Sequence, residues 1–381
     1  MAAPEPCIAG VAESALGKVP DETELSMLAA AGREALAEAG LGFGDVDGLF
    51  VRTRGIEPSV EVAEYLGIQP RYTDSTDVGG CSFEAYVNHA MAAVGAGLCE
   101  VALIAYASRQ RSLRARKRAG SEDQTLTGQF EAPYRPLLPI GNYAMIAARH
   151  MHQYGTRPEQ LAEVAVAARQ WAALNPKAWA RQPLSVDEVM ASGYIAEPLH
   201  RLDCCLVTDG GGAVVVTTPE RAREAAKRPI RVIGRGESAT AWHISQIDDL
   251  TVTPGVASSR AAYAMAGVGP GDIDVAELYD NFTIATIMEL EDLGFCAKGE
   301  GGDFVTGGRI APGGELPLQT MGGGLSYCHP GMLGLLLIVE AVRQLRGEAD
   351  ARQVPDAEVA LVHGIGGVCF GSAATLVLAR A

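Results

Sequence analysis

The chain has 381 residues, 48% of them hydrophobic and 20% charged, a composition typical of a compact globular protein with roughly two to three domain-sized units. Its formal net charge of −15 argues against nucleic acid as a main partner, because a phosphate backbone binds to a positive surface. The longest apolar stretch, Met332 to Val339, is too short to span a bilayer and no signal peptide is recognisable, so we expect a cytoplasmic protein without a membrane span.

A sequence repeat divides the chain into two halves. Residues 37–47 read AEAGLGFGDVD, and residues 264–274 read AMAGVGPGDID. Each copy ends an Ala-rich helix, passes through a glycine and enters an apolar strand, predicted at Gly48 to Val51 and at Val275 to Leu278. The common order of Ala, Gly and Asp over eleven positions indicates an internal duplication.

Matched elements follow each copy of the repeat. The first half continues with a predicted strand at 73–78 and a helix of small residues at 81–97. The second half has a predicted helix at about 331–345 and a strand at 358–363. Alternating strands and helices favour mostly parallel sheets with helices on both faces.

The domain organisation follows from the duplication. We predict an N-terminal half over residues 1–225 and a C-terminal half over residues 226–381. Residues 107–200 interrupt the first half, and we expect this insertion to form a lid over one face of the core. The segment from Leu202 to Thr217 reads as a hairpin around an Asp-Gly-Gly-Gly turn.

A basic run begins the insertion. Its six positive charges are those of Arg109, Arg111, Arg114, Arg116, Lys117 and Arg118. A basic loop is one interpretation, and a site for phosphates such as the nucleotide end of coenzyme A is the other. On the second interpretation Arg109, Arg111 and Arg114 bind the substrate.

Cys81 follows two glycines at the predicted start of a helix. Free amides and the helix dipole at such a position stabilise a thiolate, so the expected thiol pKa is lowered and the side chain suits a nucleophile. The alternative is that Cys81 is only a small residue that fits a tight junction between strand and helix.

The equivalent junction of the second half carries His329, in the segment GGGLSYCHPG. A histidine there could donate a hydrogen bond to a carbonyl oxygen or accept a thiol proton, although it could also be structural. Gly364, Gly366 and Gly367 follow a predicted strand, and their backbone amides could form an oxyanion hole or simply a tight turn.

Tyr279 lies in the segment ELYDNF, between a predicted strand and a predicted helix. Asp280 or Asn281 could serve as the N-cap of that helix. Tyr279 does not fit a capping role, and its phenol could position a water or a carbonyl group or act as an acid or base.

At these residues the sequence resembles the thiolase superfamily, nearest the sterol-carrier-protein-type thiolases and their lipid-transfer-protein relatives, over essentially the whole chain. Cys81 corresponds to the acyl-accepting cysteine of thiolases. Residues 277–282 resemble the family's Asn-Glu-Ala-Phe or His-Asp-Cys-Phe block, residues 326–330 its Gly-His-Pro block, and residues 364–367 its Cys-Ile-Gly-Gly block. The resemblance implies an α/β thiolase fold, with two duplicated βαβαβαββ halves packed as a layered α/β/α/β/α body.

Two departures from the family pattern leave the reaction open. Gly364 replaces the second thiolase cysteine, which moves a proton to and from the α-carbon, and Tyr279 and Tyr327 replace other residues. The first hypothesis is acyl transfer through Cys81, assisted by His329. The alternative is a retro-aldolase that cleaves a 3-hydroxyacyl-CoA with a steroid-type side chain, using Tyr279 and Tyr327. A non-catalytic subunit that binds acyl-CoA or lipid is the third possibility.

The resemblance also implies partners. We expect a coenzyme A thioester as substrate, no bound cofactor, a homodimer, and a small zinc-ribbon/OB-fold protein as a separate partner chain. The eight cysteines contain no CxxC pair and show no His/Cys ligand spacing, so they predict free thiols and no metal site in this chain.

Overall fold

The computed structural model describes residues 5–55, 57–113 and 126–381. Its strands are β1 (Cys7–Glu13), β2 (Gly48–Val51), β3 (Tyr72–Asp74), β4 (Val101–Ser108), β5 (Tyr194–Ala196), β6 (Leu199–His200), β7 (Gly210–Thr217), β8 (Ile230–Ala239), β9 (Val275–Leu278), β10 (Val359–Gly366) and β11 (Ser372–Arg380). Its α-helices are α1 (Glu24–Glu38), α2 (Pro58–Leu66), α3 (Ser82–Gly95), α4 (Ile140–Tyr154), α5 (Pro158–Leu174), α6 (Val186–Met190), α7 (Pro219–Ala222), α8 (Gly255–Ala266), α9 (Thr283–Asp292), α10 (Gly301–Phe304) and α11 (Gly334–Arg346). Over these ranges, no helix combines the length and the apolar character needed to cross a membrane.

The main sheet repeats one strand order twice. Nine strands are hydrogen-bonded in the order β3-β2-β4-β7-β1-β8-β11-β10-β9. Read outward from its centre, β1-β7-β4-β2 in the first half corresponds to β8-β11-β10-β9 in the second. The halves meet at a short antiparallel pairing, in which Cys7 opposes Arg231 and Ile8 opposes Ile230. The duplication seen in the sequence is therefore present in the topology.

The helices complete a five-layer body. Helices α3 and α11 contact each other and strands of both half-sheets, so they form the central layer. Helix α1 covers the outer face of the first half-sheet, and α8 covers that of the second. This α/β/α/β/α order is the predicted fold class, which is confirmed.

Local signals fix the ends of several helices. Thr23 caps α1, with Ser26 completing a reciprocal capping box. Helices α2 and α5 begin at Pro58 and Pro158, where the missing amide hydrogen costs nothing. The last helix, α11, ends at Gly347 in the left-handed region, as glycine permits.

The prediction of mostly parallel sheets is wrong. Strand β7 is antiparallel to both of its neighbours, β1 and β4, and β11 is antiparallel to both β8 and β10. Among the strands of the described residues, the parallel pairs are β2–β3, β2–β4 and β9–β10. Strands that are joined by a helix run parallel, which is the basis of the prediction. The last strand of each half instead follows a turn or a long insertion and runs in the opposite direction.

The hairpin predicted for Leu202 to Thr217 is also wrong. A single helical turn at Arg201–Asp203 and an extended segment precede β7, and Cys204 forms only an isolated bridge with Phe282. The backbone amide of Cys205 donates to the Asn281 carbonyl at 2.9 Å. The apolar run pairs with this distant segment instead of folding back on itself.

The third strand of the first half is shorter than predicted. Of the run at 73–78, only residues 73 and 74 belong to β3, which begins at Tyr72. In the second half a single parallel bridge between Ala276 and Leu318 occupies the equivalent edge. Because this edge carries few ladder hydrogen bonds, the chain there is free to form the loops that build the site.

Glycines bring the outer helices unusually close to the first strand of each half-sheet. A Cβ atom on Gly10 of β1 would lie 1.9 Å from the Ala35 carbonyl oxygen of α1. A Cβ on Gly234 of β8 would lie 2.2 Å from the Ala262 carbonyl oxygen of α8. The same close approach at equivalent positions is a second structural sign of the duplication.

Substitution of Gly10 by alanine should destabilise the fold. The added methyl group meets backbone and not a movable side chain, so Gly10→Ala should lower the free energy of unfolding by about 1–3 kcal/mol or more. Gly42→Ala is the matched control, because Gly42 is extended and nothing lies within 4 Å of its Cβ position. Urea denaturation measures both, and equal stability of the two variants would contradict this packing.

Candidate active site

The centre of the site is a hydrogen-bonded pair, Tyr279 and His329. Tyr279 directly follows β9, and His329 lies in the loop that leads to α11. The Tyr279 hydroxyl lies 3.1 Å from Nε2 of His329, and the backbone amide of Leu333 donates to the same hydroxyl oxygen at 3.1 Å. Because the amide occupies the oxygen as acceptor, the phenol hydrogen is free to be donated to Nε2, and the imidazole then carries its own hydrogen on Nδ1.

Burial keeps this pair uncharged. Desolvation lowers the pKa of His329 to about 4 and raises the pKa of Tyr279 well above its usual value. At neutral pH the imidazole is therefore a neutral acceptor and the phenol a neutral donor. Their hydrogen bond is a direct path for a proton, but a transfer along it alone would create two buried charges, which desolvation disfavours.

Backbone contacts hold the His329 loop in place. The Asp280 carboxylate accepts hydrogen bonds from the amides of Gly324 at 2.5 Å and Leu325 at 3.1 Å. The amide of His329 donates to the Thr208 hydroxyl at 2.9 Å. The expected N-cap role of Asp280 is wrong, because α9 begins after Phe282 and the carboxylate binds the glycine-rich loop instead.

Tyr327 does not share a hydrogen bond with the pair. Its hydroxyl donates to the Glu13 carboxylate at 2.6 Å, and Glu13 also binds Arg343 at 2.8 Å and Lys177. Burial alone would raise the pKa of Glu13, but the charges of Arg343 and Lys177 lower it to about 2. Burial, reinforced by the Glu13 charge, raises the pKa of Tyr327 well above its usual value, so this phenol retains its proton.

Cys81 is buried, and its thiol is not activated. The thiol contacts the Val78 carbonyl oxygen at 3.2 Å and the Ser372 hydroxyl at 3.4 Å, within an apolar cluster that includes Ala85 and Ala374. Desolvation raises its pKa to about 12, so the expected lowering is wrong. The helix does begin here, but the side chain turns into packed protein, where burial outweighs the helix dipole.

The glycines of the predicted oxyanion hole lie at a very close backbone contact. A Cβ on Gly366 would fall 1.7 Å from the Val78 carbonyl oxygen, and one on Gly80 would fall 2.5 Å from the Tyr279 ring. Gly364 and Gly366 belong to β10 and pair with β11, so the predicted turn begins only at Gly367, where φ is +81°. Their role toward a substrate oxygen remains a prediction.

The described part of the basic run makes contacts within the protein. Arg109 donates to the Pro20 carbonyl at 2.6 Å. Arg111 donates to the Val207 carbonyl at 3.0 Å and stacks over the Trp179 ring at 4.5 Å. Arg114 lies outside the described residues, so a role of the run in phosphate binding stays a prediction.

Three contributors to the site were missed in the sequence. Glu13 binds Tyr327 from 314 positions away, and Thr208 fixes His329 from 121 positions away. No local pattern marks either residue. The Leu333 amide lies three residues after Pro330 of the His-Pro block, at the N-cap of α11, where a free backbone amide is expected. In the part of the chain that is described, no cluster of three or more His, Cys, Asp or Glu side chains could hold a metal ion.

A buried site at the junction of two duplicated halves in a five-layer body defines a thiolase-fold protein. Residues 236–380 match the family model described as "Thiolase C-terminal domain-like". The chain is 38% identical over 357 residues to the steroid side-chain-cleaving aldolase of Thermomonospora curvata, covering 89% of this chain and 90% of the relative. The chain belongs to the thiolase superfamily, as its motifs predicted.

Other relatives fall into two classes of enzyme. Identity is 36% over 357 residues with the 17-hydroxy-3-oxo-4-pregnene-20-carboxyl-CoA lyase of Mycobacterium tuberculosis, covering 89% of this chain and 91% of the relative. It is 33% over 386 residues with an acetyl-CoA acetyltransferase of Methanothermobacter thermautotrophicus, covering 98% and 99%. The solved structure titled "Ltp2-ChsH2(DUF35) aldolase" superposes with a TM-score of 0.90 at 34% identity, covering 100% of this chain and 99% of that one. The relatives are thus thiolase-fold enzymes of both the lyase and the acetyltransferase class.

The state of the Cys81 thiol can be tested by alkylation. Burial raises the pKa of both Cys81 and Cys296 to about 12, but Cys81 is fully buried, so it should react with iodoacetamide at neutral pH far more slowly than the partly exposed Cys296. Peptide mass spectrometry over a time course measures both rates, and the denatured chain provides the unprotected reference. Labelling of Cys81 as fast as Cys296 would indicate an activated thiol and contradict the assignment.

Proposed function

We propose that this chain is a carbon–carbon lyase that cleaves a 3-hydroxyacyl-CoA by a retro-aldol reaction, with a steroid-type group on the acyl chain. The observation that carries the proposal is the neutral, buried pair of Tyr279 and His329, to which Cys81 is not hydrogen-bonded. The aldolase and lyase relatives support the reaction class and the steroid-type substrate. A retro-aldol reaction needs proton transfer and enolate stabilisation but no nucleophile.

In this reaction the β-hydroxyl loses its proton, the bond between the α- and β-carbons breaks, and the electron pair moves into the thioester as an enolate. Tyr279 accepts the hydroxyl proton and passes its own proton to Nε2 of His329. A free phenolate is disfavoured by burial, so the two transfers are coupled. Burial also disfavours the imidazolium, so it forms only together with the enolate, whose negative charge offsets its own.

Tyr327 has a supporting role in this proposal. Its hydroxyl is bound to an ionised carboxylate, so it retains its proton and does not accept another. We assign to it the positioning of the loop that carries His329, two residues further along the chain. Its substitution should therefore cost less than that of Tyr279.

Acyl transfer through Cys81 has less support. The acetyltransferase relative favours it, but a protonated thiol that is hydrogen-bonded to Val78 and Ser372 would first have to lose its proton and turn away. The chemistry also lacks a second cysteine, because Gly364 occupies that position. Covalent acyl-enzyme on Cys81 is the outcome that would restore this hypothesis.

We also propose that the enzyme works as a two-component assembly with a small zinc-ribbon/OB-fold protein. The solved structure described as "Ltp2-ChsH2(DUF35) aldolase" names two components, which supports such an arrangement. A coenzyme A thioester is then the small-molecule substrate, and no resident cofactor is needed for the retro-aldol step. The homodimer and the cytoplasmic location stay predictions.

Product analysis tests the reaction. The chain, alone and with the small partner, is incubated with 3-hydroxyacyl-CoA and 3-oxoacyl-CoA series, and the products are identified by mass. We expect a ketone or aldehyde and a shortened acyl-CoA from the hydroxy series only. Thiolysis products from the oxo series, or tight binding without any product, would reject the proposal.

A ranking of variants tests the assignment of the residues. Tyr279→Phe should lower kcat/KM for the hydroxy substrate by roughly 10²–10⁴-fold, the usual contribution of a positioned acid or base. Cys81→Ala should cost less than about tenfold on the same reasoning, because no bond to sulfur forms. Tyr86→Phe is the matched control, since this buried phenol donates only to the Val51 carbonyl. A larger loss for Cys81→Ala than for Tyr279→Phe would reverse the assignment.

A further inference from the structure

Glu84 is a buried carboxyl group that the reaction above does not use. It lies in the first turn of α3, three residues after Cys81, and its side chain has no exposed surface. Neither carboxylate oxygen accepts a hydrogen bond from another residue in the described part of the chain. Ionisation of a buried carboxyl group without a partner costs roughly several kcal/mol, so the presence of one at this place calls for an explanation.

The Glu84 carboxyl group fills the space of two missing side chains. A Cβ on Gly364 of β10 would lie 2.5 Å from its Oε2 atom, and a Cβ on Gly334 of α11 would lie 2.4 Å from it. Gly364 is the position at which the family resemblance expects the second cysteine. A carboxylic acid from α3 therefore occupies the volume that this thiol would take.

The same backbone borders the Tyr279–His329 pair. Gly334 directly follows Leu333, whose amide binds the Tyr279 hydroxyl. On the other side, the Cβ position of Gly80 lies 2.5 Å from the Tyr279 ring. The Cβ position of Gly334 lies 2.5 Å from the Gly80 carbonyl oxygen, so Gly80 lies against both the Tyr279 ring and Gly334. Glu84 and Tyr279 thus flank one short stretch of main chain.

We propose that Glu84 is a further catalytic acid, which protonates the α-carbon of the thioester enolate. This inference rests on the proposed retro-aldol function, which creates that enolate. After the carbon–carbon bond has broken, the enolate electron pair forms a C–H bond with the Glu84 proton. The carbonyl of the thioester is restored, and the carboxylate is left as an anion. The Glu84 carboxylate then takes up the proton that the substrate hydroxyl released, so the cycle needs no other reactant.

The protonation state of Glu84 suits this role. Burial raises its pKa to about 8, only partly offset by its own backbone amide, so the group is an acid at neutral pH. Glu84 interacts electrostatically with two titratable groups, Cys81 at the N-cap of α3 and the buried Glu289 of α9, and its charge would raise the pKa of each. Neither group is a cation that would stabilise a negative charge on Glu84.

The microscopic reverse of this step provides the test. In D2O the full chain, alone and with the small partner, should exchange an α-proton of propionyl-CoA for deuterium, which mass spectrometry measures. Glu84→Gln preserves the shape but has no acidic proton, so exchange should fall by roughly 10²-fold or more. Glu84→Asp should retain a measurable part of the exchange, because it keeps the acid.

The matched control is Glu291→Gln. Glu291 is another buried glutamate, but it is bound to His150 at 3.1 Å and to the Gly301 amide at 2.9 Å. This variant should exchange the α-proton at the wild-type rate. Wild-type exchange by Glu84→Gln would overturn the role of Glu84 alone. A wild-type chain that neither exchanges propionyl-CoA nor cleaves a 3-hydroxyacyl-CoA would overturn the proposed function and this inference together.

Stability against pH gives an independent readout that needs no substrate. The folded-state pKa of Glu84, about 8, lies above its ordinary value of 4.5. Its contribution to stability is therefore complete below pH 4.5 and is lost as the pH rises through 8. Glutamine cannot ionise, so Glu84→Gln should lose less thermal stability than the wild type over this window. Identical pH profiles would mean that Glu84 ionises as an ordinary carboxyl group, and the proposal would fail.

Discussion

The site depends on one backbone contact between the two halves of the chain. The loop before α3 and the end of β10 approach so closely that a Cβ on Gly366 would fall 1.7 Å from the Val78 carbonyl oxygen. That oxygen also accepts a hydrogen bond from the Ser372 hydroxyl at 2.6 Å, which ties the contact to β11. Because no side chain separates the halves here, the start of α3 reaches the end of the second half-sheet. Gly80, next to this contact, lies against the Tyr279 ring, so the same main chain also borders the pair of Tyr279 and His329.

Two electrostatic regimes lie next to each other at this junction. Tyr279, His329 and Glu84 are all buried without a compensating charge, and burial shifts each pKa toward the neutral form. Around Tyr327 the situation is the reverse, because Arg343 and Lys177 keep Glu13 ionised. In the neutral region a proton can be transferred only together with the charge that develops on the substrate, whereas the ion cluster holds a fixed arrangement. Chemistry is thus expected in the neutral region, and the charged region gives the rigidity that positions it.

Features that repeat along the chain could be predicted from the sequence, whereas features that depend on a contact with a residue distant in the sequence could not. The matching segments at 37–47 and 264–274 predicted two equivalent halves, because each contains its own helix stop and strand start. Tyr279 and His329 could each be suspected, since Tyr279 follows a predicted strand and His329 lies in a glycine-rich junction of the same half. The raised pKa of Cys81 could not be, because it comes from burial against segments distant in the sequence, among them Ala374 of β11. The burial of Glu84 could not be predicted for the same reason. A glutamate in the first turn of a helix usually faces water, and only the tertiary packing shows that this one faces Gly364.

The exchange of a cysteine for a glycine at position 364 then has a consistent physical meaning. Removal of the thiol leaves a space on β10 that a longer acid fills from α3, on the opposite side of the same contact. A carboxylic acid at this place can still donate a proton, but unlike a thiol it cannot carry an acyl group as a thioester. With Cys81 buried and protonated as well, the junction keeps its proton-transfer groups and lacks an active nucleophile. Such a set of groups suits a reaction in which a bond breaks to give an enolate, and it does not suit one in which an acyl group is carried on sulfur.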